Sequence, residues 1–490
     1  MRFTLALTIL VCSLTATAGP VASPGDIGLR HEIQMLADYG AIQGPTTAWP
    51  VSWDAILADL EAAYESEMNL PVAVRATFVR VLNRARRETA RSDGHFNYRA
   101  SASEKPTRIR GYTNAPYEKG ELSAGYSWAN SRFSIDINAT GAMDPLDDEE
   151  LRADGSRLAV DWGNVTIAAS TMDRWWGPGW DGSLILSNNA RPMPAITIGR
   201  NRTHAFETKW LSWLGPWDLE VMFGQMEEER VIPNAHFFGM RFTFRPHPSL
   251  EIGLSRSAQL CGEGRPCGFD TYWDMFLGKD NVGDAGTTPE NEPGNQIAGF
   301  DARWSNTWLG TPMAFYAQIM GEDEAGGFPS RYMGMGGVEL THWSNRSWNS
   351  YRWFAEIAGV SCDIFDSNPG HNCAYNNSIY QTGYRYRGRV IGHGAEGGAL
   401  IGTLGMVMVT GNGNQISALI RSGELNKGGR ANNTLTPVPL DILSADLTYA
   451  HTFGDKHRLE VGIGYEELEN AGLGINTDDT RAFLQWRYNP

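Results

Sequence analysis

From about Gly94 to the C-terminus, apolar and polar residues alternate one for one. Leu122, Ala124, Tyr126 and Trp128 alternate with Glu121, Ser123, Gly125 and Ser127. Phe133, Ile135 and Ile137 alternate with Ser134, Asp136 and Asn138. The same period returns through Trp217 to Phe223, Phe238 to Phe244, Leu250 to Leu254, Tyr351 to Ile357, Leu443 to Tyr449, Leu459 to Tyr465 and Ala482 to Tyr488. A period of two is that of a strand with one apolar and one polar face.

Upstream, from about residue 26 to 91, the period is that of a helix. Asp26 is placed to cap a first helix with Leu29, Ile33 and Leu36 on one face and Gly40 as its stop. Ser52 caps a second carrying Ile56, Leu57, Leu60 and Tyr64. Pro71 opens a third, striped by Val74, Phe78, Val81, Leu82 and Ala85. Arg84, Arg86, Arg87 and Arg91 lie toward its negative end, most simply as a solvated helix terminus. Three short amphipathic helices make a thin bundle, which must lean on something larger.

Alternation over so long a stretch fits a soluble β-sandwich or a membrane β-barrel. Tight turns (Ala129-Asn130-Ser131, Asp455-Lys456) alternate with long acidic or Gly-rich stretches (Gly278 to Asn295, Gly321 to Ser330, Ser422 to Thr434). Short turns at one end and long loops at the other mark a membrane barrel. The last strand carries Trp486 and Tyr488 and resembles the C-terminal signal read by barrel-insertion machinery, which usually ends on an aromatic; Asn489 and Pro490 overshoot it. At about 22 residues per strand and loop, the stretch holds roughly 16 to 20 strands. The expected division is a signal peptide over 1–18, a helical bundle over 19–93 and a barrel over 94–490.

Composition sharpens this picture. A mean hydropathy of -0.34 and the lack of a long apolar run after the first residues argue against membrane helices, not against a barrel. The 17 Trp, 17 Tyr, 19 Phe and 55 Gly suit aromatic girdles and close strand packing. A net charge of -15 argues against nucleic acid as a partner. Arg2, the apolar run Leu5 to Leu14 and Ala16-Thr17-Ala18 read as a secretory signal cleaved after Ala18, which makes the chain an exported one. Cys12 lies inside that segment. The other four cysteines form two locally spaced pairs, read as Cys261–Cys267 and Cys362–Cys373 disulfides. No His lies at metal-ligand spacing near Cys261 and Cys267, and His371 beside Cys373 is a weak exception.

Catalytic patterns are poor. Gly125-Tyr126-Ser127-Trp128-Ala129 is a partial G-x-S-x-G inside a strand, and His31-Glu32 lacks the second His of a zinc motif. The acidic run Asp144, Asp147, Asp148, Glu149 and Glu150, and the group Asp363, Asp366 and Asn368, read as solvated loops before they read as calcium sites. One stretch stands apart, Arg174 to Arg200. It sets Trp175, Trp176 and Trp180 around Gly177-Pro178-Gly179, followed by Asn188, Asn189 and Arg191. The indoles either fill a cavity or offer flat faces to sugar rings, with Asn and Arg to meet hydroxyls and carboxylates. On the second reading Arg174, Trp175, Trp176, Trp180, Asn188, Asn189 and Arg191 form a saccharide site. Because exported polysaccharides are often acidic, a basic patch is expected beside it, from Arg174, Arg191, Arg200 and Arg202.

Two stretches resemble the Wzi family of capsule-assembly proteins. One is Leu29-Arg30-His31-Glu32-Ile33-Gln34-Met35-Leu36-Ala37-Asp38-Tyr39-Gly40 with Trp49-Pro50. The other is Arg174-Trp175-Trp176-Gly177-Pro178-Gly179-Trp180-Asp181 with Leu184 to Pro192. The resemblance implies a closed antiparallel transmembrane β-barrel of about 18 strands with a periplasmic bundle near one mouth. It also implies an outer-membrane, lectin-like role on exported polysaccharide, with no catalysis and no cofactor. A monomer in outer-membrane lipid is expected, and the disulfide-stapled loops are a second place where saccharide would be held. The competing functions are a porin-like pore, which the inserted segment opposes, and an outer-membrane hydrolase, which lacks a nucleophile and base.

Overall fold

The computed structural model describes residues 20–489, apart from 91, 131, 278–293, 309–310, 326–327 and 455. The signal segment, Arg91 and most of the expected 278–295 loop lie outside the described residues. The alternating region is a closed barrel of 18 antiparallel strands. Its first strand, His95–Ser103, pairs with its last, Ile475–Tyr488, through Tyr98↔Tyr488 to Ser103↔Phe483. Closure leaves no free sheet edge, which hydrocarbon would not tolerate. Strands neighbouring in sequence pair throughout. Two of the long insertions between partners bear on the site: residues 171–194 between Val165–Ser170 and Ala195–Arg200, and residues 361–398 between Ser350–Val360 and Ala399–Val409. Residues 321–325 and 328–330, expected within a long loop, instead extend the strands Thr311–Ala325 and Phe328–Trp343, which pair out to Ala325↔Phe328.

The polarity of the wall decides between sandwich and membrane barrel. Leu122 is 69% exposed, and Ile137, Ile196, Phe300, Trp353, Leu404 and Ile463 also face outward. Arg352 is 0% exposed, and Ser134, Arg241, Thr243, Asp301 and Gln318 are buried with it. A sandwich in water hides its leucines and shows its arginines. This wall does the reverse, so its outer solvent is hydrocarbon and its polar face is internal. Trp162, Trp210, Trp213, Tyr98 and Phe453 stay exposed at the end near the helices, where Tyr98 stacks on Tyr488 at 6.1 Å. Such a ring of amphipathic aromatics marks the membrane boundary.

The helices form where capping and periodicity place them. Helix α1 spans Ile27–Asp38, with Asp26 Oδ1 accepting from Leu29 N at 3.0 Å. Helix α2 spans Trp53–Glu65, with Ser52 Oγ accepting from Ala55 N at 3.3 Å. Helix α3 spans Val72–Thr89, with Pro71 in the cap position. The expected single apolar stripe of α1 is corrected: every residue of α1 except Asp38 is buried, including Arg30, His31, Glu32 and Gln34. The helix lies inside the barrel mouth, and its polar face meets the polar lumen. Arg303 holds Asp38 at 2.6 Å and also pairs with Glu339, while Arg352 reaches Glu339 at 2.7 Å. Arg352 Nε donates to His31 Nδ1 at 3.2 Å, which leaves His31 Nε2 to donate to Ser350 Oγ at 2.9 Å. Helix α3 packs on α1 from outside and α2 packs on α3; Arg80 of α3 pairs with Glu32 and Arg84 with Asp26.

Removing one partner of a buried network leaves an uncompensated charge, at a cost of about 3–5 kcal/mol. Arg303→Ala removes the nearest cation from Asp38 and leaves Arg352 alone to serve both Asp38 and Glu339. It is expected to lower the temperature at which the folded, fast-migrating gel band converts to the unfolded one. An unchanged conversion temperature would show that the network contributes no net stability.

Candidate functional site

The 171–194 insertion leaves the wall at Ser170, crosses the lumen and returns at Ala195. Its two tryptophans pair with the N-terminal segment, Trp175↔Trp49 and Trp176↔Ala48, and Gly177 N donates to Thr47 O at 2.9 Å. The two stretches that carry the family resemblance therefore meet in space. Gly177 sits at φ 148, and a Cβ there would meet Gln318 Nε2 at 2.6 Å. That close approach lets Gln318 donate to Trp176 O at 2.9 Å and accept from Leu184 N at 2.7 Å. Only glycine supplies this backbone with no side-chain clash.

Wall carboxylates hold the rest of the segment. Glu356 accepts from Trp180 N at 2.8 Å, Gly182 N at 3.1 Å and Tyr316 Oη at 2.9 Å. Trp180 Nε1 donates to Glu339. The Trp180 indole stacks on Phe354 at 5.8 Å, with Arg30 at 4.4 Å and Arg352 at 4.9 Å from its centroid. Each cation gains from the ring's negative face in a site without bulk water. Trp175 meets the Tyr112 ring edge-on at 5.1 Å. Asp181 is clamped by Arg421 at 2.7 and 2.9 Å and by Thr403 at 2.8 Å.

Of the two readings of this segment, these contacts fit cavity-filling and leave no indole face open to a sugar ring. Trp175, Trp176 and Trp180 are buried with no open face, as are Arg174, Asn188, Asn189 and Arg191. Arg174 is taken by Glu220 at 2.6 Å, Met172 O at 3.0 Å and Ser170 Oγ at 3.2 Å. Arg191 is taken by Asp154 at 2.8 and 2.9 Å, Asp147 at 2.5 Å and Glu149 at 2.6 Å. Asn188 Nδ2 donates to Tyr112 O and Asn189 Nδ2 to Val390 O, each at 2.9 Å. The basic patch expected here is reduced: Arg174 and Arg191 are paired with carboxylates, Arg200 sits over Trp217 at 3.5 Å, and Arg202 alone of the four is exposed. The segment is a plug.

A second insertion locks the first. Tyr375 Oη donates to Leu184 O at 2.8 Å, and Tyr384 Oη to Ile185 O at 2.9 Å. Tyr380 Oη donates to Cys261 O at 3.0 Å, and Arg385 pairs with Glu396. Sequence reading missed these residues. Their signal was four tyrosines, Tyr375, Tyr380, Tyr384 and Tyr386, in a stretch where alternation stops. Cys261–Cys267 and Cys362–Cys373 are disulfides, with Cα–Cα distances of 4.8 and 5.7 Å. His236 arrives from the adjacent strand with Nδ1 3.9 Å from Cys267 Sγ, although no His is near in sequence. Both sulfurs are bonded to each other, so neither offers the thiolate a metal needs. Three members of the acidic run are ion-paired too: Asp144 with Lys119, Asp147 with Arg152 and Arg191, and Glu149 with Arg191 and Arg387.

Exposed polar groups gather at the mouth away from the helices. Arg430 donates to Asn432 Oδ1 at 2.6 Å and to Asn372 O at 3.0 Å, and Asn372 Nδ2 donates to Gly428 O at 3.2 Å. This cluster joins the Cys362–Cys373 loop to residues 426–439 and faces solvent.

A family model described as capsule assembly protein Wzi matches residues 91–482. A 55.8 kDa protein from the cps region of Klebsiella pneumoniae is 35% identical over 355 residues, 69% of this chain and 65% of that protein. The match thus spans just under two thirds of that relative. The solved Wzi of Escherichia coli is described as an outer-membrane protein involved in group 1 capsule assembly and as a carbohydrate-binding β-barrel. It superposes with a TM-score of 0.84 at 25% identity, over 96% of this chain and all of that one.

Two outcomes follow from the plug. Trp180→Ala removes a fully buried indole and is expected to cost about 3–5 kcal/mol, read as a lower thermal-conversion temperature. Burial raises the Asp147 carboxyl, but its bonds to Arg191 and the charge of Arg152 outweigh this and hold it below the usual range. A depressed folded pKa stabilises above the unfolded value of about 3.9 and is lost as pH falls through the folded value. Limited proteolysis between residues 143 and 155 should therefore stay slow at pH 7 and accelerate below pH of about 4. Equal nicking at both pH values would remove the ion pairs from the account.

Proposed function

The chain belongs to the Wzi family of capsule-assembly proteins, and on that premise we propose that it holds exported polysaccharide at the surface of a Gram-negative outer membrane. The observation that carries this reading is the likeness to Escherichia coli Wzi over nearly the whole of both chains. It acts by binding, without catalysis, as a monomer. Its signal peptide over 1–18 is removed on export, and helices α2 and α3 face the periplasm. The mouth away from the helices then faces outward and meets the polysaccharide.

The contact lies on the outer loops and not on the plug. Asn372, Lys427, Arg430 and Asn432 offer amides and cations at that mouth, a set suited to sugar hydroxyls and carboxylates. The plug serves as a rigid floor, and two insertions fastened across the lumen disfavour a conducting role.

Purified protein should retain polysaccharide from its own host on an affinity matrix. Arg430→Ala with Asn432→Ala should weaken retention by about tenfold, the loss of about 1.4 kcal/mol, and leave thermal conversion unchanged. Unaltered retention moves the contact elsewhere on the mouth. In planar bilayers the wild-type chain should show no steady large conductance, and such a conductance would overturn the occluded reading.

A further inference from the structure

Helix α4, Phe269–Leu277, stands outside the barrel. It follows the Cys261–Cys267 disulfide and lies against the outward face of the wall. Its Met275 is buried among Phe238, Ala258, Leu260 and Cys261, and Tyr272 packs beside Met240 and Val221. Both of its ends are tied down. The disulfide holds the chain entering it, and Arg256 on the wall donates to the C-terminal carbonyls Met275 O and Phe276 O, the latter at 3.1 Å. Tyr272 Oη bonds His236 Nδ1 at 2.6 Å. The face turned away from the wall is aromatic. Phe269, Trp273 and Phe276 are 79%, 51% and 52% exposed, with successive rings 6.2 and 6.4 Å apart.

Beside Tyr272 the wall is low. The strands Arg157–Trp162, Val165–Ser170 and Ala195–Arg200 have 6 residues each, against 11 for Leu250–Leu260 and 15 for Gly294–Trp308. They stop because the chain turns into the lumen at Ser170 to form the plug. Above them a groove of about 620 Å³ opens on the outer face, lined by Ile137, Leu158, Ile196 and Phe223 with His236 and Tyr272 at its edge. It lies at the end of the barrel away from α2, because Ser52, the cap of α2, bonds Asn201 at the opposite end of these strands.

The groove is continuous with the apolar belt of Leu122, Ile137 and Ile196, whose solvent is hydrocarbon. A soluble ligand would not reach it. We propose that the notch and α4 form a lipid seat. One acyl chain of a bilayer lipid lies along Ile196 and Phe223, and the aromatic face of α4 sits at the boundary between headgroups and chains. An apolar occupant is held by removal of its surface from water and by contact with the lining, and exposed Trp and Phe on a short amphipathic helix favour that boundary. This inference rests on the polarity of the wall and is independent of the polysaccharide reading.

The test uses the full chain reconstituted with dimyristoyl phosphatidylglycerol, then extracted into mild detergent for native mass spectrometry. Wild type should retain one lipid through washing. Ile196→Trp fills the groove and should lower retention by about tenfold, whereas Leu404→Trp on the opposite side of the belt should not change it. Leu158→Trp gives the same reading if Ile196→Trp fails to show the folded gel band. No retained lipid in the wild type, or equal loss in the Leu404→Trp control, overturns the seat. In parallel, Trp273→Cys carries a nitroxide spin label, the four native cysteines beyond the signal segment being paired in disulfides. Oxygen should relax this label more than a water-soluble nickel chelate does. The reverse order would place α4 in water and overturn the interfacial position.

Discussion

The lumen of this barrel is lined with charge, and whatever fills it must bring partners for that charge. Arg241, Arg303, Arg352 and Arg421 point inward, as do Glu251, Asp301, Glu339 and Glu356. A charged side chain taken out of water needs a partner and further hydrogen bonds, or it costs several kcal/mol. The rest of the molecule follows from how that need is met. Helix α1 brings Asp38 to Arg303 and His31 to Arg352. The plug brings Asp181 to Arg421 and its backbone N–H groups to Glu356. The loop at Thr46 and Thr47 brings two N–H groups to Glu251 at 2.8 to 3.1 Å.

Such a network is a weak source of net stability but a strong source of position. Replacing it with apolar groups of the same shape is often neutral, while losing one partner is costly. Its value here is registry. A helix held by hydrophobic contact alone could slide or turn within a cylinder, whereas α1 satisfies its wall partners in one pose. The same holds for the plug, whose two glycines, Gly177 and Gly179, let the backbone come close to Gln318 and to Gly182 O. Tryptophan then adds bulk where polar pairing leaves space, and Trp175, Trp176 and Trp180 bridge the helix, the plug and the wall.

Much of this was legible in the sequence. Period-two alternation names the strands, because each wall residue faces either lipid or lumen, and residue parity with local spacing names the disulfides. The helix α1 was legible as a helix and not as a lumen element. Its Leu29, Ile33 and Leu36 stripe is what a surface helix shows, and the polar side gives no sign that Arg352 and Arg303 wait opposite. The tryptophan segment was legible as exceptional, since indoles beside Gly177-Pro178-Gly179 demand burial or a ligand. Which of the two depends on Glu339, Glu356 and Gln318, each more than a hundred residues away. Helix α4 escaped because its nine residues make only about two and a half turns, too short for a helical period to stand out.

The overall charge of -15 bears on the proposed ligand in a way the sequence alone misstates. The buried arginines are matched by buried carboxylates within the lumen, so the acidic surplus resides on the surface. A long acidic polysaccharide approaching that surface is repelled, but the field fades over about 8 Å at physiological ionic strength. Attraction must therefore act at contact, through hydrogen bonds and single cations. A mouth that sets Arg430 among Asn372 and Asn432 meets that requirement better than a broad basic field would, because amides bond hydroxyls whatever the net charge. A rigid floor adds to this: loops anchored by disulfides and by a filled lumen lose little entropy on binding, so weak individual contacts sum to useful retention.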